Sequence, residues 1–195
     1  MREKFNKEKT KKIVGLALIT AMVIVLQLVG SFIKLGPFSV SLVLIPIVVG
    51  AALYGRTSGA WLGLVFGVVV LLSGDAAFFM EYSPFWTIVI VIVKGTAAGL
   101  CAGLVYNFFR PKGELLATVL AAAVCPIVNT GIFLIGGYLF LLDAIKALME
   151  DQSGSVIAYM FVGLVGLNFV FELLFNLILS PAIVRIVKMS KKIHS

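Results

Sequence analysis

The chain has 195 residues, of which 61% are hydrophobic and only 13% charged, with a formal net charge of +7. That balance excludes a soluble domain, and the basic residues flank apolar stretches rather than gathering on one face, which excludes a nucleic-acid-binding module. The length holds about six spans of ~20 residues and almost nothing else, so one all-α integral membrane domain over residues 1–195 is expected, with no soluble module.

The basic start, Met1 to Lys12, leads into an apolar run from Ile13 to Ile33. The run is longer than a signal-peptide h-region and no A-x-A cleavage site follows, so it reads as a retained first helix over about 12–33. Lys34-Leu35-Gly36-Pro37-Phe38-Ser39 is punctuated as a loop. A short second helix (42–54) carries Pro46 near its start, and Gly55-Arg56-Thr57-Ser58 turns into a third helix over 59–73. The acidic stretch Gly74 to Pro84, holding Asp75 and Glu81 and no Lys or Arg, reads as a loop. A fourth helix (85–109) runs to the turn Arg110-Pro111-Lys112-Gly113, and a fifth covers 114–142. The polar segment Asp143 to Ser155 is a loop, and a sixth helix (156–188) ends at the basic tail.

With Met1 to Lys12 placed in the cytoplasm, 13 of the 16 Lys and Arg residues fall on that side. Only Lys34 and Lys146 fall outside, and Lys94 lies within a span. The positive-inside rule then sets both termini in the cytoplasm of a six-transmembrane-helix bundle. Helices two and three offer only 13 to 15 apolar residues each. They form either two short crossings or one re-entrant hairpin, and Arg56 on the inner side favours two crossings.

Gly55, Gly59, Gly63 and Gly67 make one stripe at four-residue spacing, and Gly95, Gly99 and Gly103 make another. Such faces let helices approach closely, either inside the bundle or against another membrane subunit. Cys101 and Cys125 lie in predicted spans without CxxC spacing and read as packing residues.

Charged groups in the hydrocarbon layer are costly and mark function by default. Lys94 lies ten residues past Pro84, about 15 Å from the outer face. Asn168 lies at a similar depth, Glu172 follows one turn later on the same face, and Asn129 falls about 20 Å down the fifth helix. Four polar groups from three helices thus converge on one level, as in a binding site within a bundle. A structural Lys94–Glu172 ion pair is the alternative. Asn176 and Gln27 read as interhelical glue, and Asp75 as a solvated loop acid or a ligand group. Phe78, Phe79, Phe85 and Trp86 form either an interfacial belt or the stacking wall of an external pocket.

Enzyme classes find no support. The single histidine, His194, sits in the basic tail, so no His-based triad or metal site forms in the membrane, and no Walker A loop is present. No metal site and no cofactor are expected. The paired broken helices and two-fold repeat of many secondary transporters are also missing.

The first helix reads Gly15-Leu16-Ala17-Leu18-Ile19-Thr20-Ala21, with an AxxxA pattern on Ala17 and Ala21. Further on come Leu44-Ile45-Pro46 and Ala52-Leu53-Tyr54-Gly55-Arg56-Thr57-Ser58-Gly59-Ala60. Together with the topology, these resemble the substrate-binding S component of energy-coupling factor (ECF) vitamin transporters over essentially the whole chain. The resemblance implies a multi-pass protein of a prokaryotic plasma membrane that captures a water-soluble vitamin at the outer face, below closing loops. It implies as partners the membrane lipid, a transmembrane coupling subunit docked through Ala17 and Ala21, and two cytoplasmic ATPases. It also implies a site formed by the fourth to sixth helices and the external loops, which adds Asp75, Phe79 and Trp86 to Lys94, Asn129, Asn168 and Glu172. An isolated Lys94 favours an anionic ligand, and a Lys94–Glu172 pair favours a neutral heterocycle. A stand-alone proton- or sodium-coupled carrier and a non-transporting accessory subunit are the other classes consistent with the residues.

Overall fold

A computed structural model describes the backbone of residues 2–32, 34–35, 38–39, 41–149 and 154–194, with side chains over 9–32, 41–149 and 154–189. The Gly36-Pro37 punctuation and the side chain of His194 lie outside the described residues. In chain order come α1 (Arg2–Gly30), the strands β1 (Lys34–Leu35) and β2 (Phe38–Ser39), α2 (Leu44–Tyr54) and α3 (Arg56–Leu72). Then follow α4 (Ala77–Tyr82), α5 (Pro84–Phe109), α6 (Glu114–Phe140), α7 (Leu142–Leu148), α8 (Val156–Ala158) and α9 (Gly166–His194). The two strands pair antiparallel, Lys34 opposite Ser39 and Leu35 opposite Phe38.

Four segments, Lys9–Gly30, Pro84–Lys112, Glu114–Phe140 and Gly166–Met189, are long and apolar enough to cross a membrane. Leu44–Tyr54 and Arg56–Leu72 are shorter apolar helices. A helix satisfies all its internal backbone groups within itself, so apolar runs of this kind fold as helices wherever water is excluded. Gly55 joins α2 to α3 at φ 94°, and Gly113 opens α6 at φ 143°, backbone that a β-carbon would strain.

Three stretches depart from the sequence reading. The acidic segment 74–84 contains α4, because Phe79 buries its ring while Glu81 stays exposed, a one-turn amphipathic face that the acidic residues obscured. The polar segment 143–155 opens with α7, which buries Ala144 and Ile145. The sixth helix is interrupted: Tyr159–Leu164 winds as a π-helix, in which the Val165 N–H donates to the Met160 carbonyl at 3.2 Å. π-segments insert an extra residue into a helix and cluster at functional sites. The Tyr159 hydroxyl donates to the Leu148 carbonyl at 2.9 Å and ties this segment to the end of α7.

The glycine stripes face each other. A β-carbon on Gly59 would meet the Gly99 carbonyl and one on Gly99 the Gly59 carbonyl; Gly63 and Gly95 are matched in the same way. Next along, Gly67 lies against the Val91 carbonyl, which an added Cβ would approach to 2.9 Å. The α3–α5 seam is therefore backbone on backbone, and the stripes serve internal packing. α2 lies inside the bundle, touching α1, α3, α5, α6 and α9, and buries Leu44 and Pro46 to Ala52. A first apolar cluster (Val23, Ile47, Leu62, Phe66, Ala98 and Ala121 among its members) fills this interior. A second, separate one joins Phe79, Ile90, Phe133, Leu141, Ile145 and Leu164.

Candidate functional site

The two apolar clusters are separated by a cavity with about 720 Å3 of space free of atoms, including its open mouth. Its walls come from α1, α3, α4, α5, α6 and α9, with Ser41 ahead of α2 and Asp75 between α3 and α4.

α5 contributes Thr87, Ile90, Val91 and Lys94, one face at helical spacing. α6 contributes Asn129, Thr130 and Phe133. Pro126, one turn before Asn129, has no N–H to bond the Ala122 carbonyl. α9 contributes Asn168 and Glu172, and its buried face continues through Asn176 and Ser180 at four-residue spacing. The cavity thus gathers Lys94, Asn129, Asn168, Glu172, Asp75 and Phe79. Trp86 stands elsewhere, its ring stacked on Phe140 at 3.7 Å and 12°.

Among the described residues Lys94 forms no ion pair. Its Nζ lies over the rings of Phe133 and Phe66, 5.4 and 5.8 Å from their centroids, and Phe79 meets Phe133 edge to face at 5.7 Å. A cation over aromatic faces keeps part of its electrostatic stabilisation while its N–H donors stay available to a ligand. Glu172 is 5% exposed and accepts from the Ser41 backbone N–H at 3.1 Å, so this buried carboxylate holds the entry to α2. The Asn176 side-chain amide donates to the Glu172 carbonyl at 2.8 Å and stays within α9.

Gln27, read from the sequence as interhelical glue, and Thr87, which the sequence reading did not single out, also line the cavity. Gln27, 2% exposed, comes from α1 and donates through Nε2 to Asp75 Oδ2 at 2.7 Å; the Ser73 hydroxyl reaches the same oxygen at 3.2 Å. Thr87, 1% exposed, lies seven residues before Lys94, a spacing that places both on one helix face and gave the only available signal. Among the described residues, the Gln27 Oε1, Thr87 Oγ1 and Asn129 Oδ1 atoms are buried without a hydrogen-bond partner. Each such atom costs about 1–3 kcal/mol, a cost that a ligand can recover.

Residues 11–184 match the family described as ECF transporter, substrate-specific component. The chain belongs to that family. As an S component it is a subunit of a transport system rather than a catalyst, in keeping with its apolar helices. It is also 26% identical over 196 residues to the pantothenic acid transporter PanT of Lactococcus lactis subsp. cremoris (strain MG1363), an alignment covering 92% of this chain and 94% of that protein. No solved structure matches. The AxxxA residues of this S component, Ala17 and Ala21, lie exposed on α1, on the side opposite the buried Ile19, Val23 and Gln27.

Proposed function

We propose that this S component captures pantothenate, or a closely similar hydroxylated amide carboxylate, and delivers it inward with an ATP-driven coupling module. The observation that carries the reading is Lys94: an ammonium on α5 that forms no ion pair among the described residues, set among polar groups of other helices. Pantothenate offers a carboxylate for Lys94, and an amide and two hydroxyls for the side chains of Asn129, Asn168, Asp75 and Glu172. Phe79 and Phe133 supply the apolar wall for its alkyl part. The likeness to the pantothenic acid transporter supports the same class of cargo.

In this reading the chain is one integral membrane domain over residues 1–195, with six crossings and both termini cytoplasmic, as the distribution of Lys and Arg supports. The plasma membrane of a prokaryote holds it, with the cavity at the outer side. Ala17 and Ala21 dock the transmembrane coupling subunit, and two cytoplasmic ATPases drive the cycle.

The deciding experiment is isothermal titration of the detergent-purified protein with pantothenate, alongside mass spectrometry of small molecules that survive purification. Stoichiometric binding is expected. A protein that neither binds pantothenate nor carries a related compound would sink the cargo assignment. Replacing Ala17 with Trp is expected to abolish uptake in cells while leaving affinity unchanged. Uptake that persisted in that variant, or that followed a proton gradient without the ATPases, would remove the docking assignment in favour of a stand-alone carrier.

A further inference from the structure

The hydrogen-bond polarity of the cavity is set at one point by chemistry rather than by rotamer choice. A carboxylate accepts hydrogen bonds and does not donate, and a glutamine amide carries one accepting oxygen and one donating nitrogen. With Asp75 2.7 Å from its nitrogen, the Gln27 amide has a single allowed orientation. The consequence falls on the other end of the amide. Gln27 Oε1 is committed to accepting, it is buried without a partner among the described residues, and its residue lines the cavity.

We propose that Asp75 is a positioning residue that fixes Gln27 as an obligatory hydrogen-bond acceptor, and that this pair selects ligands presenting a hydroxyl donor at the α1 side of the cavity. The inference rests on the reading of the cavity as a pantothenate site and assigns Gln27, on the first helix, to recognition of one of the ligand's hydroxyls. A ligand with a hydroxyl there satisfies the amide oxygen. One with an acceptor in its place leaves two acceptors facing each other in a low-dielectric setting, and is rejected. Gln27 is thus a specificity residue, and Asp75 acts through it without needing to touch the ligand.

The test uses pantothenate and its two monofluoro analogues, in each of which one hydroxyl is replaced by fluorine, an atom of similar size that cannot donate. Dissociation constants are measured by titration for the wild-type chain, Gln27→Met and Asp75→Asn. The wild type is expected to bind pantothenate about tenfold or more tightly than one of the two analogues. In Gln27→Met that preference disappears, because no acceptor remains. In Asp75→Asn it shrinks as well, because an amide partner lets Gln27 turn over and present its nitrogen. Asp75→Asn is isosteric and carries the test alone should Gln27→Met not fold.

A wild-type chain that binds pantothenate without any fluorine penalty, or variants that keep the penalty while weakening all three ligands in parallel, would overturn this inference and leave the cargo assignment standing. A wild-type chain that binds none of the three would overturn the cargo assignment, and this inference with it.

Discussion

The α3–α5 seam and the cavity adjoin, Lys94 of the cavity standing next to Gly95 of the seam, and obey opposite rules. Along the seam, Gly59, Gly63, Gly95 and Gly99 bring main chain against main chain. In the cavity, an ammonium, two carboxylates and several amides and hydroxyls line one space, and the oxygens of Gln27, Thr87 and Asn129 are buried without partners among the described residues. The seam is finished by folding alone, whereas the cavity is finished only when something occupies it. The contrast teaches where this protein places its stability and where it gives stability up, a division that recurs wherever a binding site must hold polar groups unsatisfied in advance.

That division can be broken from either side. The largest effect is expected on the seam: Gly63→Leu sets a branched side chain against the Gly95 carbonyl and should leave no folded protein, seen as the loss of a monodisperse peak in size-exclusion chromatography. A well-behaved Gly63→Leu protein with unchanged affinity would mean that the seam is not the rigid half. Next comes the cavity. Lys94→Met removes the ammonium lying over Phe133 and Phe66, and should weaken pantothenate binding by about 10- to 150-fold, the worth of a charge-assisted hydrogen bond. The ligand-free protein should melt no lower, and higher if the buried charge is a net cost. A drop in both affinity and melting temperature would place Lys94 among the structural residues instead.

Tyr159→Phe tests the region between these extremes. It deletes the hydrogen bond from the π-segment to the Leu148 carbonyl and should cost about 1 kcal/mol, read as a lower unfolding midpoint together with faster ligand release. The smallest effect has the opposite sign. Gly131, in α6, has nothing within 4 Å of where a β-carbon would stand, so Gly131→Ala should stabilise by about 0.5–1 kcal/mol. If Gly131→Ala were as damaging as a seam substitution, glycine content rather than glycine contact would be the governing variable.

The sequence made the seam and the cavity legible to different degrees. Spacing alone placed Lys94, Asn129, Asn168 and Glu172 at one depth, because helical rise is constant and charges inside apolar runs are conspicuous. It also showed two glycine stripes, but a stripe does not name its partner, and only the packing shows α3 and α5 facing each other. Gln27 looked like glue because an amide near a helix end is commonplace; its role depends on Asp75, 48 residues away in the chain. Glu172 was weighed against Lys94 and instead holds the Ser41 N–H, a backbone group that no side-chain pattern advertises. α4 and α7 were missed for the same physical reason. Each is under two turns long, too short for a period to register, and depends on tertiary burial of Phe79 or Ile145.

A joint made of glycine has no rotamers. Side chains such as leucine lose about 0.5–1 kcal/mol of entropy when fixed, and glycine loses none, so the cohesion of α3 with α5 carries no side-chain ordering penalty that grows with temperature. It draws on dispersion between atoms already in contact rather than on expelling water, so it does not fade when the surroundings change from water to lipid or from one lipid to another. The seam should therefore grip about equally well across the organism's working temperatures and in membranes of different composition.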